Sequence, residues 1–235
     1  IKPIDFDPAK RYPVILYVYG GPHSQMVTNS FQAQLRRWEM YMAQRGYVVF
    51  VMDNRGTDNR GIEFEQAIHH RCGVCEMEDQ IAGINWLKSH PWVDSERIGV
   101  HGWSYGGFMA LNCALHGEGL FRMAIAVAPV TSWRYYDTIY TEIYNGLPQD
   151  NPKGYDDNSP LSHAEKLAER TKLLIIHGTA DDNVHFQNSM EMCRRLNAAG
   201  KQYDMMVYPD QNHSMRPSAM SLVRQKMIDY TIENL

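Results

Sequence analysis

The stretch that decides the fold is "RIGVHGWSYGGFMALNCAL", Arg97 to Leu115. Its opening, "RIGVHG", reads as a short buried strand. Its second half places Phe108, Leu111 and Leu115 on one face of a helix. Between them Ser104 stands in the spacing G-x-S-x-G, with Gly102 two before, Gly106 two after and Gly107 beyond. A strand that turns directly into a helix at a serine is the context of a nucleophile elbow. There the serine backbone is strained, so small residues must flank it. The hydroxyl projects from the sheet edge, and the helix start offers an N–H and a positive dipole end to an oxyanion. The competing reading is a glycine-rich turn whose serine merely caps the helix.

The pattern around this stretch repeats it. "VILYVY" (14–19), "YVVFVMD" (47–53), "MAIAVA" (123–128), "KLLIIHG" (172–178) and "YDMMVY" (203–208) are further strand candidates. Most are apolar almost throughout, as strands buried on both faces of a parallel sheet are. Helical periodicity falls between them. Met77, Ile81, Ile84 and Leu87 share one face, as do Met190, Cys193 and Leu196, and a last helix runs from about Ser218 to Leu235. Strand–helix alternation over the whole length predicts one doubly wound α/β domain, with six mostly parallel strands and flanking helices. Residues 129–170 break the rhythm, being rich in aromatics and then in Pro, Asn, Asp and Gly. A connection that long predicts a functional insertion near the carboxyl ends of the strands, where open α/β sheets bind ligands.

Composition narrows the function. The net charge of −4, with acids and bases mixed, leaves no footprint for nucleic acid or a membrane surface. No apolar run reaches the roughly 20 residues of a membrane helix. The sequence begins at Ile1 in a proline-punctuated segment, and we read it as a piece of a longer protein. Four cysteines are too few for a disulfide scaffold. Cys72 and Cys75 in "HHRCGVC" leave three readings open: structural thiols, a local disulfide, or a metal site. One C-x-x-C is weak support for the last, and no metal is assigned.

A nucleophilic serine needs a base and an orienting acid, which in this architecture follow in the order serine, acid, histidine on loops after later strands. "KLLIIHG" runs into Asp181 and Asp182, and spacing alone does not choose between them. "YDMMVY" runs into a loop carrying His213, just ahead of the closing helix. The order of the three, each just past a strand, favours the nucleophile over the cap. A histidine base makes activity fall as the medium turns acid through the ordinary imidazole range. His101 and His177 at strand ends suit buried hydrogen-bonded roles, and His185 a supporting one. His23, His90, His116 and His163 read as loop or surface residues.

"YVYGGP", "DNRG", "EMEDQ", "GWSYGG", "VAPVTSWRYYDTIYTE" and "HGTADDNVHFQ" together resemble the catalytic α/β-hydrolase domain of the prolyl oligopeptidase clan of serine peptidases, most closely its dipeptidyl peptidase IV-like branch. The motifs span nearly the whole chain. The resemblance implies Ser104 as nucleophile, Asp181 rather than Asp182 as acid, and His213 as base. It implies an oxyanion hole from the Tyr105 N–H and the Tyr19 hydroxyl. Tyr105, Val130, Trp133, Tyr136, Tyr140 and Val184 would line the pocket for the residue before the scissile bond, with Asn183 donating to a substrate carbonyl. The alternative for Trp133, Tyr136 and Tyr140 is simple packing of the insertion, and Arg55 suits a loop anchor. The expected reaction is hydrolysis after proline or alanine through an acyl-enzyme, without a cofactor, releasing amino-terminal dipeptides in the parent protein. An acylaminoacyl-peptidase, an oligopeptidase, an esterase or an inert dimerisation module are the rivals. The resemblance also implies an upstream β-propeller that holds the substrate's free amino terminus, a homodimer, and a periplasmic or cell-surface location.

Overall fold

The computed structural model describes residues 1–31, 35 and 37–235. In chain order the elements are β1 (Tyr12–Tyr17), α1 (Arg37–Gln44), β2 (Val48–Phe50), α2 (Ile62–Gln66), α3 (Cys75–Lys88), β3 (Val93–Trp103), α4 (Tyr105–His116) and β4 (Met123–Val127). They continue with α5 (Thr138–Asn145), α6 (Pro152–Asp156), β5 (Lys172–Gly178), α7 (Gln187–Ala198), β6 (Asp204–Tyr208) and α8 (Pro217–Asn234). The strands form one sheet in the order β2-β1-β3-β4-β5-β6, with every neighbouring pair parallel.

Alternation along each strand divides the core between two faces. Val14 and Leu16, Ile98 and Val100, Ala124 and Ala126, and Leu173 and Ile175 pack on one side with Ile84 and Leu87 of α3, Phe108 and Leu111 of α4, and Met192 and Leu196 of α7. Ile15, Val49, Ile125, Leu174 and Ile176 point the other way, against Trp38 and Met42 of α1 and Val223, Met227 and Tyr230 of α8. Strands clad on both sides need no polar face, which is why β1 and β4 are buried throughout.

Some expected boundaries shift. β1 starts at Tyr12, and its register with β3 slips between Tyr12 and Val14, at Pro13. Proline has no N–H to give the ladder, so the pairing steps over it. β3 extends back to Val93 through a polar, partly exposed stretch that carries no apolar signal. Met190 does not belong to the buried face of α7. It is 38% exposed, and Asn188, Ser189, Met192, Cys193 and Leu196 are buried instead. The polar members of that face are buried because they hydrogen-bond to other segments, which apolar periodicity cannot register.

The chain leaves β1, builds β2 on one flank and returns to place β3 on the other. The crevice beyond the carboxyl ends of β1 and β3 is therefore the topological switch point of the sheet, where such folds bind ligands.

Candidate active site

Tyr19 and Ser104 stand at that crevice, just past the ends of β1 and β3. Ser104 has φ 63° and ψ −118°, a conformation costly for any residue with a Cβ, of order 1–3 kcal/mol. Its N–H donates to the Val127 carbonyl at 2.9 Å, and its own carbonyl accepts from Phe108 N–H at 3.0 Å. The flanking glycines are demanded by space. A Cβ on Gly102 would collide with the backbone carbonyl of Gly106, and one on Gly106 with the carbonyl of Val18. Ser104 occupies the cap position of α4, yet its side chain makes no cap hydrogen bond. The capping alternative is therefore set aside. Tyr105 is the first residue of α4, so its N–H has no acceptor within the helix.

β5 and β6 deliver the acid and the imidazole. Asp181 is buried, and both its oxygens are engaged. Oδ1 accepts from the backbone N–H groups of Asn183 and Val184, each at 3.0 Å. Oδ2 accepts from His213 Nδ1 at 2.8 Å and from His177 Nε2 at 3.1 Å. Burial pushes the Asp181 carboxyl up, but the hydrogen bonds from His177 and His213, the His213 charge and the Asn183 N–H outweigh it and hold it well below the usual carboxylate range. Asp182 is exposed. The imidazole loop is steadied by Trp103, whose Nε1–H donates to the His213 carbonyl at 3.0 Å.

Ser104 and His213 line one open cleft of about 420 Å³, together with Tyr19, Tyr136 and Asn183. No hydrogen bond joins the Ser104 hydroxyl to His213 among the described residues. For a proton to pass between them the imidazole would have to close on the hydroxyl, a tightening that catalytic pairs often make only on binding substrate. Tyr19 is half-buried, and burial raises its phenol, so the hydroxyl stays a donor at neutral pH.

The insertion folds as short 3-10 turns around α5 and α6. It is pinned down: Thr131 N–H donates to Asn188 Oδ1 at 3.0 Å, Ser159 Oγ to the Thr131 carbonyl at 2.7 Å, and Arg134 grips both oxygens of Asp156 at 2.7 Å. Asp137 caps α5 by accepting from Tyr140 N–H at 2.8 Å, which sets the direction of that tyrosine. The aromatic rings form one cluster. Trp133 lies 5.2 Å from Tyr105, 6.0 Å from Tyr136 and 6.2 Å from Tyr140 between centroids. Tyr136 reaches the cleft, whereas Val130, Trp133 and Val184 are buried in the core with Tyr105 behind it, and Tyr140 is half-buried against them. The Tyr136 hydroxyl donates to Asn183 Oδ1 at 2.7 Å, which leaves the Asn183 amide N–H groups as donors.

Arg55 is an anchor, as expected. Its guanidinium pairs with Asp79 and Glu78, and its N–H donates to Asp79 at 2.8 Å. Cys72 and Cys75 are buried free thiols. His177 is buried and hydrogen-bonded at the end of β5, as its position suggested, and its partners are new, whereas Glu76 was given no role from the sequence. His177 Nε2 faces two acceptors, Asp181 Oδ2 and the Val184 carbonyl at 2.8 Å, so it carries a proton, while Nδ1 meets the Ser189 hydroxyl at 2.7 Å. Glu76 is buried completely on α3 beneath Tyr105, and burial pushes its carboxyl up to about 7 against hydrogen bonds that lower it. The sequence signal for Glu76 was its place at the start of "EMEDQ", and for the partner of His177 an acid four residues on.

Residues 33–235 match the prolyl oligopeptidase family. Dipeptidyl peptidase 8 of Mus musculus is 43% identical over 237 residues, covering 100% of this chain and 27% of that protein. The crystal structure of Porphyromonas gingivalis dipeptidyl peptidase 4 superposes with a TM-score of 0.94 at 42% identity, over 100% of this chain and 33% of that one. A solved structure from Bacteroides ovatus gives 0.96 at 43%. The chain thus spans about a quarter of the length of the curated relatives it matches.

Proposed function

The chain belongs to the prolyl oligopeptidase family, and from that membership we propose that it is the catalytic domain of a serine peptidase that releases dipeptides from the amino terminus of peptides with proline or alanine before the scissile bond. The observation that carries this is the 2.8 Å bond between His213 Nδ1 and the buried Asp181 carboxylate, in the cleft that the strained Ser104 also lines.

With Nδ1–H donated to Asp181, the lone pair of the imidazole sits on Nε2. His213 removes the Ser104 proton from that side as Oγ adds to the substrate carbonyl. The carboxylate keeps the imidazole in this tautomer and stabilises the imidazolium that forms. The negative oxygen is taken by the Tyr105 N–H and the Tyr19 hydroxyl, each typically worth about 3–4 kcal/mol. The imidazolium then protonates the leaving amine. Water, deprotonated by His213, cleaves the acyl-enzyme in the same site. Tyr136 walls the cleft, with Tyr140, Tyr105, Trp133, Val130 and Val184 packed behind it, and an uncharged aromatic lining of this kind suits a flat apolar ring or a methyl group. An Asn183 amide N–H holds a substrate carbonyl.

The resemblance supports a β-propeller elsewhere in the parent, supplying the acidic grip on the substrate's amino group, and a homodimer formed through this domain. A monomer by light scattering would remove the dimer. It also supports a periplasmic or cell-surface location, which cell fractionation tests. The activity is tested on the full-length protein with Gly-Pro, Ala-Pro, acetyl-Ala and simple ester chromogenic substrates. Free-amino dipeptides are cleaved fastest if the proposal holds. Preference for acetyl-Ala or the ester replaces it with an acylaminoacyl-peptidase or an esterase.

A further inference from the structure

Glu76 has no part in the reaction as written, yet it is a carboxylate with no exposed surface, a costly thing to bury. Its contacts say where that cost goes. Oε1 accepts the Tyr105 hydroxyl at 2.6 Å and the Gly73 N–H at 2.7 Å, and Oε2 lies 3.4 Å from the Cys75 thiol. The Gly73 bond alone would serve as a helix-start contact for α3, for which a neutral side chain suffices. The 2.6 Å bond to the phenol is the shorter of the two and ties α3 to the first residue of α4. Tyr105 in turn supports the site on two sides. Its backbone N–H follows Ser104 directly. Its ring stands against Trp133 and against the loop after β1, where a Cβ on Gly21 would come within 2.9 Å of both the Tyr105 and the Tyr19 rings. The ring therefore bears on the pocket wall and on the loop that carries the second oxyanion donor.

We propose that Glu76 is the positioning residue for Tyr105, holding its phenol so that the ring backs the pocket and the loop carrying Tyr19 rests on it at the right height. This rests on the reading of Ser104 as the nucleophile. Cys72 and Cys75 find their place in it, as the small buried thiols that fill the space around the Glu76–Tyr105 pair.

The test uses the full-length protein, with active sites counted by fluorophosphonate titration so that misfolded molecules drop out. Per titrated site, Glu76→Ala lowers kcat/KM on an Ala-Pro substrate by about tenfold or more. Tyr105→Phe does the same, and the double variant falls no further than the worse single one. Glu76→Gln keeps an acceptor for the phenol and recovers to within about threefold of wild type. Wild-type turnover in titrated Glu76→Ala or in Tyr105→Phe overturns the inference. So do losses that multiply in the double variant, or a glutamine variant no better than alanine. If Glu76→Ala yields no folded protein, Tyr105→Phe and Glu76→Gln decide on the same terms. A wild-type protein that takes no probe overturns the serine reading, and this inference with it, whereas a normal titration separates the two.

Discussion

A serine at φ 63° that caps nothing is held against its own preference, and such strain persists only where the surroundings impose it. The surroundings here are two glycines and a ladder bond. Asp181 is the complementary case. Four hydrogen bonds converge on it, and Asp182, its neighbour, is exposed. Spacing could not separate the two acids. The turn after β5 does, by aiming one at the imidazole and the other at solvent. Asp181→Asn should leave the fold in place while lowering kcat by about 10⁴-fold, because the wrong imidazole tautomer is favoured. Asp182→Asn should change kcat by less than about threefold. Steady-state kinetics on the two variants distinguishes them.

Glu76 makes a prediction of the opposite sign, one of stability. Its folded value of about 7 lies above the ordinary 4.5, so burial favours the protonated form. The stability this contributes is fully present below pH 4.5 and is lost as pH rises through 7. Glu76→Gln removes the titration. Its stability relative to wild type should therefore climb between pH 4.5 and 7 by on the order of 2–3 kcal/mol, then level off. Denaturant unfolding at pH 5 and pH 8 measures it, and an unchanged difference would mean that folding does not raise the Glu76 carboxyl. The buried hydrogen-bonded role of His177 was legible at its strand end, but its partners and the role of Glu76 were not, because what defines them is contact across the fold: with Ser189 on another element, and with Tyr105, 29 residues on.

Among the elements, the elbow was legible because three constraints coincide in a few residues: an apolar strand, small residues at fixed offsets, and a helical stripe. Gly106→Ala would drive a Cβ into backbone rather than into a side chain that could move aside. It should abolish activity and lower the melting temperature, read by peptide turnover and thermal unfolding. Phe108, fully buried between Tyr105 and Trp133 at 5.3 and 5.1 Å, couples the same helix to the insertion. Phe108→Ala should cost about 3–5 kcal/mol. The misplaced details were those where polar groups decide. Pro13 shifts the β1 register, polar residues hide the first half of β3, and Asn188 takes a buried place through its bonds to Thr131 rather than through apolarity. The insertion was visible as an interruption, but its order comes from caps and ion pairs between residues distant in sequence.

Over the whole molecule, parallel strands clad on both faces made the α/β architecture readable from apolar runs alone. The strand order follows from the chain's return past β1, which also locates the cleft. Tyr19, Ser104, Asp181 and His213, the residues proposed for catalysis, follow β1, β3, β5 and β6 and are separated by up to 194 residues between Tyr19 and His213. Such a site is only as stable as the sheet, so loss of activity and loss of the fold should coincide on heating. Circular dichroism and residual peptidase activity along one thermal ramp compare them. Early loss of activity would place the weak point in the loops.

The most direct trial of this account is to map where a fluorophosphonate probe attaches. Mass spectrometry of the digested protein should find a single adduct, on the peptide bearing Ser104, which vanishes in Ser104→Ala and is greatly slowed in His213→Ala. An adduct on any other residue, or one that survives in Ser104→Ala, would contradict it.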